Sequence, residues 1–266
     1  MTVFAPSATP MASADGPGEV LLDARSVSKA FGAVQALRDV SLEVRGREIV
    51  GLIGPNGSGK TTFFNCVSGF ERIQGGSISW RGRNVARWPP QRLARHGLVR
   101  TFQHVMLFPD SPIVESIRYA SSCVRSWGRS EPCLVDLPTE PEDLAELVGL
   151  DPSSTTPVDS LPHGTQRIVG VAMALAARPT LLMLDEPAAG LHQGECDALA
   201  ALLLRLRDIG LASLVIDHHM PFLLSVCDRV AVIDAGANLV EGSPAEVQAH
   251  PEVIRIYLGD HDDGAS

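Results

Sequence analysis

The chemistry-bearing residues cluster in a few short stretches. Gly54-Pro55-Asn56-Gly57-Ser58-Gly59-Lys60-Thr61 fits the pattern G-x-x-x-x-G-K-[ST], and Thr62 follows it. The residue types suit a phosphate cradle. Glycines let the backbone curl so that successive N–H groups face one anion. A helix opening at the end of the loop adds its partial positive charge. Lys60 can neutralise β- and γ-phosphates, and it is one of only two lysines in the chain, beside Lys29. The Thr61 hydroxyl can ligate Mg²⁺. The pattern has weight only between a strand and a helix, and the sequence predicts both: a buried strand over Ile49–Ile53 and a helix from near Gly59 towards Gly69.

A second stretch is Leu181-Leu-Met-Leu-Asp185-Glu186-Pro187. Four apolar residues followed by two acids predict a buried strand that delivers its acids at the carboxyl end of a sheet. Asp185 could there hold Mg²⁺ through water, and Glu186 could polarise an attacking water.

The elements that must position these residues read as alternating strands and helices. Glu19–Ala24, Ser41–Val44, Ser77–Trp80, Leu181–Asp185, Ser213–Asp217 and Arg229–Asp234 have strand character, with Arg45–Gly46 as a turn. Gly164–Ala177 and Gln193–Arg207 have helical periods. Gly236–Gly242 reads as a hairpin, and Ser243 with Glu246 reads as a capping box for a terminal helix. From Pro89 the character changes, with frequent proline and helical fragments such as Pro141–Leu150. This predicts a helical subdomain with a mobile middle. The expected fold is α/β: a P-loop NTPase core on a mostly parallel sheet, an N-terminal antiparallel β subdomain and an inserted helical subdomain.

At this point the residues resemble the ATP-binding subunits of ATP-binding-cassette (ABC) transporters, over about residues 19–259. The helical subdomain would then occupy about 104–163, with residues 1–18 and 260–266 as tails. The resemblance implies further roles. Gln103, in Arg100-Thr-Phe-Gln103, resembles the glutamine that reaches Mg²⁺ and water. His218, in Val215-Ile-Asp-His218-His-Met, resembles the histidine that contacts the γ-phosphate, with His219 as competitor. Phe31 resembles the aromatic that stacks on adenine. Leu161-Pro-His-Gly164-Thr resembles the signature segment that binds ATP held by a second ATPase subunit, with Leu161 and Gly164 in nucleotide contact. That segment departs from the usual Leu-Ser-Gly-Gly-Gln: Pro162 removes a hydroxyl, and His192 stands where an aspartate is usual. Both departures hint at an asymmetric heterodimer, with a homodimer as the alternative.

The stretches around Asp185–Leu191, Asp217–Met220 and His250–Gly259 resemble the branch that serves branched-chain amino-acid importers, with relatives for urea and amides. The implied function is hydrolysis of ATP, with Mg²⁺, coupled to solute import. The implied partners are membrane-spanning permease subunits and a second ATPase subunit. The implied place is cytoplasmic, at the inner face of the cell membrane, with membrane contact only through partners. Two other classes fit less of the sequence: a soluble ABC ATPase outside transport, and a regulatory nucleotide-binding module.

Composition narrows the field from outside. The chain has 266 residues, 45% hydrophobic, which is enough for a large core. Its 22 basic against 31 acidic residues leave a formal charge of −9, which argues against a nucleic-acid partner. No apolar run approaches the roughly 18 residues of a membrane span. The first residues lack the pattern of a secretory signal. Five cysteines without paired spacing suggest reduced thiols rather than a zinc site.

Overall fold

The computed structural model describes residues 18–101, 108–127 and 135–258. Two long strands, β1 (Val20–Phe31) and β2 (Val34–Arg45), lead to β3 (Ile49–Ile53) and helix α1 (Lys60–Val67). Then come β4 (Gly75–Trp80), β5 (Arg83–Asn84), α2 (Pro90–Arg95) and β6 (Leu98–Arg100). Helices α3 (Ile113–Trp127) and α4 (Pro141–Leu147) and a 3-10 turn (Val158–Ser160) precede α5 (His163–Leu175). The rest alternates: β7 (Leu181–Asp185), α6 (Gln193–Asp208), β8 (Ala212–Ile216), α7 (Met220–Val226), β9 (Arg229–Asp234) and β10 (Ala237–Gly242), closed by α8 (Pro244–Ala249) and α9 (Pro251–Leu258).

The strands form two sheets. One is antiparallel, in the order β2-β1-β4-β5. The other has the order β10-β9-β3-β8-β7-β6, parallel except for the edge strand β10. Side chains alternate across this larger sheet. Val50, Leu52, Met183, Leu214 and Ile233 join a core with α1 and the antiparallel sheet. Ile49, Ile53, Leu182, Leu184 and Val215 join a second core with helices α3 to α7. Both faces are thus covered, as a parallel sheet requires.

The expected α/β architecture, with its antiparallel N-terminal part, is present. Some boundaries differ. β1 and β2 are each 12 residues long, because bulges interrupt the alternation: pairing shifts register between Ala24 and Val27 and again before Lys29. The hairpin expected at Gly236–Gly242 is instead β9 and β10. Their two-residue turn, Ala235–Gly236, has φ of 45° and 82°, the positive pair that matches strand twist. The Ser243–Glu246 capping box forms at α8 as expected. No helix among the described residues is long and apolar enough to cross a membrane.

Candidate functional site

The loop after β3 and the start of α1 form a cradle. Gly54, Gly57 and Gly59 all have positive φ, so the curl needs glycine. Space demands it too: a Cβ on Gly54 would lie 2.0 Å from the Ile233 carbonyl oxygen, and one on Gly59 would lie 2.6 Å from that of Ala36. The β9–β10 turn braces the loop, with the Gly236 N–H donating to the Ser58 carbonyl at 2.9 Å. Helix α1 opens with no side-chain cap and no acid in its first turn, so its first N–H groups remain available to an anion. The Lys60 ammonium curls back, donating to the Gly54 and Pro55 carbonyls at 2.6 and 2.8 Å. Burial lowers its pKa, and the nearby Glu186 carboxylate partly raises it again. The buried Ser58 hydroxyl has no hydrogen-bond partner among the described residues. Every one of these features fits a bound polyphosphate.

The acids arrive from a neighbouring strand. β8 lies between β3 and β7, and all three run parallel. Ile216 is level with both Leu52 and Asp185. The cradle, Asp185–Glu186 and Asp217–His218 therefore leave the sheet at one edge. Glu186 has φ of 48°, a left-handed conformation that is rare outside glycine. A Glu186 carboxylate oxygen lies 3.9 Å from His218 Nδ1. Asp185 is held differently: Arg100, at the end of β6, donates to its Oδ2 at 2.7 Å and also to Asn65 of α1 and to Ser68, the residue that caps α1 at its C-terminus.

The remaining predicted residues are spread around this edge. Phe31 ends β1 and is 47% exposed, with the Lys29 ammonium 4.8 Å from its ring centre. It lies on the hairpin whose second strand carries Ala36 against Gly59. Leu161 packs on the core, and Pro162 is the N-cap of α5. Gly164, in the first turn of α5, meets the Glu195 carboxylate of α6; a Cβ there would fall 2.2 Å from Glu195 Oε1. His192 caps α6 in a reciprocal box with Glu195. Gln103 lies outside the described residues.

This geometry agrees with the comparisons to known proteins. The ABC transporter family model matches residues 37–189. A model of branched-chain amino acid ATP-binding cassette transporters matches residues 238–263. The chain is 39% identical to the high-affinity branched-chain amino acid transport ATP-binding protein LivG of Salmonella typhimurium, over 90% of this chain and 98% of that one. The corresponding protein BraF of Pseudomonas aeruginosa is 36% identical over the same shares. The chain belongs to the ABC transporter ATP-binding family. Its fold also superimposes on the ADP conformation of MJ1267, an ATP-binding cassette of an ABC transporter, with a TM-score of 0.80 and 26% identity, covering 91% of this chain and 99% of that one. As a family member it is an ATP-binding, ATP-hydrolysing transporter subunit.

Within this ABC subunit, sequence reasoning missed three residues at the nucleotide edge. Arg100 is 7% exposed and paired with Asp185 across 85 positions of the chain. Asp217 is fully buried and accepts from the backbone N–H groups of Ala188, beyond the end of β7, and His219, two residues on in its own segment. Tyr257, on the terminal helix α9, turns its hydroxyl oxygen to the Gly54 backbone N–H, and burial pushes its pKa up to about 12. The only signal for any of them was position: Arg100 and Asp217 sit beside motif residues. The donor set also fits a divalent cation. Asp185 and Thr61 offer the oxygen ligands that Mg²⁺ prefers, and the Arg100 guanidinium already sits as a positive charge on the Asp185 carboxylate.

Proposed function

We propose that this chain powers the import of branched-chain amino acids, or of a closely related small polar solute, by hydrolysing ATP in a head-to-tail pair of ATPase subunits. The observation that carries the catalytic part is the common edge: three adjacent parallel strands bring the phosphate cradle, Asp185–Glu186 and His218 together. The solute rests on the relatives' branched-chain amino acid transport and on the match over residues 238–263.

In this reading residues 19–259 form the cassette, with a helical subdomain inserted at about 104–163. Phe31 offers its exposed face to adenine. The residues from Gly54 to Thr62 hold the phosphates, Lys60 by charge and the loop by N–H donation. Glu186 accepts a proton from the attacking water, and His218, within reach of Glu186, orients that water at the γ-phosphate. Thr61, Asp185 and Gln103 would hold Mg²⁺, whose charge would offset that of the phosphates. Leu161 and Gly164 open the helix that faces the partner subunit's ATP. The membrane subunits have a fitting surface: an apolar groove of about 370 Å³, with Phe70, Ala94, Ala120 and Met173 among its walls. The chain would thereby sit peripherally at the cytoplasmic face of the membrane.

The test is solute uptake by cells whose only copy carries Glu186→Gln. Uptake of labelled leucine, isoleucine and valine should fall to background. If all three persist while ATP turnover by the purified protein is lost, the solute is another, and urea and short amides come next.

A further inference from the structure

Asp217 has no role in the scheme above, yet it joins the two segments that carry the scheme. Its side chain is 0% exposed. Oδ2 accepts from the Ala188 N–H at 2.8 Å, two residues beyond Glu186. Oδ1 accepts from the His219 N–H at 2.9 Å, one residue beyond His218, and lies 3.8 Å from His218 Nδ1. A third bond runs alongside: the Glu186 N–H donates to the carbonyl of Ile216 at 2.8 Å. Segments 186–188 and 216–219 are thus tied at two points, one of them through the Asp217 carboxylate, whose other oxygen holds the turn of its own segment at His219.

The tie bears on chemistry because both ends hold the reacting groups. Glu186 has a left-handed backbone, which persists only where the surroundings over-determine it. The Ala188 and Ile216 bonds bracket that residue. On the other side, the His219 bond fixes the backbone next to His218, whose side chain is 66% exposed. A carboxylate suits the task better than a neutral group. It accepts through two oxygens in different directions, with charge-strengthened bonds. Asparagine would present one oxygen and aim its amide donor at the other N–H.

We propose that Asp217 is a positioning residue for ATP cleavage: by holding the Ala188 and His219 N–H groups, it sets the His218 imidazole against the Glu186 carboxylate. The inference rests on the roles proposed for those two residues.

The test is a double-mutant cycle on the full-length chain with MgATP, read as the single-turnover hydrolysis rate, with ADP affinity measured by calorimetric titration. Asp217→Asn should slow hydrolysis by roughly 10–100-fold, the scale expected when a catalytic group is misplaced by up to about an ångström. ADP affinity should stay within about twofold, because the cradle is untouched. In a His218→Ala background the same change should cost less than about threefold more, since the group being positioned is gone. An equal loss in both backgrounds would make Asp217 a structural support and overturn the proposal. So would a parent-like rate in Asp217→Asn. Should Asp217→Asn melt well below the parent, Asp217→Glu takes its place in the cycle. It keeps both oxygens on a longer stem and should slow hydrolysis only where His218 is present; equal slowing in both backgrounds, or none, would likewise overturn the proposal. The underlying reading fails separately: parent-like hydrolysis by His218→Ala alone, or by Glu186→Gln alone, would refute those assignments whatever the cycle gives.

Discussion

Lys60 sits where two influences oppose: burial favours its neutral form, and the Glu186 carboxylate favours its ammonium. A bound polyphosphate adds negative charge on the same side as Glu186. Glu186→Gln should therefore retain ATP binding, because the phosphates supply the charge that the amide lacks. It should abolish steady turnover, because the amide cannot accept the water's proton; near-parent hydrolysis would move the base elsewhere. Lys60→Ala loses a charge-assisted hydrogen bond, worth about 1.5–3 kcal/mol, so ATP affinity measured by titration should fall about 10–100-fold. Pro162 is a subtler case. As N-cap of α5 it offers no side-chain acceptor. Pro162→Ser would add a cap worth about 1 kcal/mol and lose about 0.4–1 kcal/mol of unfolded-state restriction. Those terms nearly cancel, so the unfolding midpoint should hardly move. ATP-driven dimerisation on a Glu186→Gln background should tighten by up to about tenfold from one regained bond to phosphate. Unchanged dimerisation would leave the backbone N–H groups near Gly164 as the phosphate donors and remove the main argument for asymmetry.

At the scale of elements, the contact between α5 and α6 turns on Gly164 and Glu195. A methyl group at 164 would overlap the Glu195 carboxylate, which also accepts from the His192 N–H at 3.1 Å to close the capping box of α6. Gly164→Ala should therefore displace Glu195 and destabilise the fold by about 1–2 kcal/mol in denaturant unfolding, the value of a lost cap. In a Glu195→Ala background the sign should reverse, because alanine outranks glycine in a helix by up to about 1 kcal/mol. A loss of equal size in both backgrounds would refute the contact. This pair was invisible in the sequence, and the reason is general. Strands β3, β7, β8 and β9 could be read because they are apolar runs ended by glycine or acid. Half of β1 and β2 was lost to bulges that break the alternation. α2 and β6 are six and three residues long, too short to display a period. The phosphate cradle was legible because its residues are contiguous. Arg100 on Asp185, Asp217 on Ala188 and Tyr257 on Gly54 were not, because each joins positions far apart in the chain, which only the folded arrangement of strands and the terminal helix brings together.

At the scale of the whole molecule, the surfaces that matter are those left for other chains. Cys123 is exposed and lines the apolar groove, whereas Cys66, Cys196 and Cys227 are buried; burial pushes the Cys66 thiol up to about 11. A bulky maleimide should label Cys123 first among these four, block binding of the membrane subunits and leave ADP affinity unchanged; full binding after labelling would exclude the groove as their seat. The nucleotide edge makes the stronger demand. In the proposed reading the cradle holds the phosphates from one side; the first turn of α5 has no side-chain cap, and Pro162 and His163 are exposed. In the head-to-tail reading each such turn completes a partner's site, so one chain alone is half a catalyst. Two copies of a chain with a formal charge of −9 also repel, so ATP must offset that repulsion as well as bridge the gap. The purified chain should then be monomeric with ADP by sedimentation. Its turnover per chain should rise with protein concentration, approaching proportionality to concentration while dimers are scarce. Moderate salt should steepen the rise by screening the repulsion over about 8–10 Å. Turnover per chain that stays constant over a wide dilution series, with a monomer mass throughout, would mean that a single chain holds a complete site, and the paired mechanism would fall.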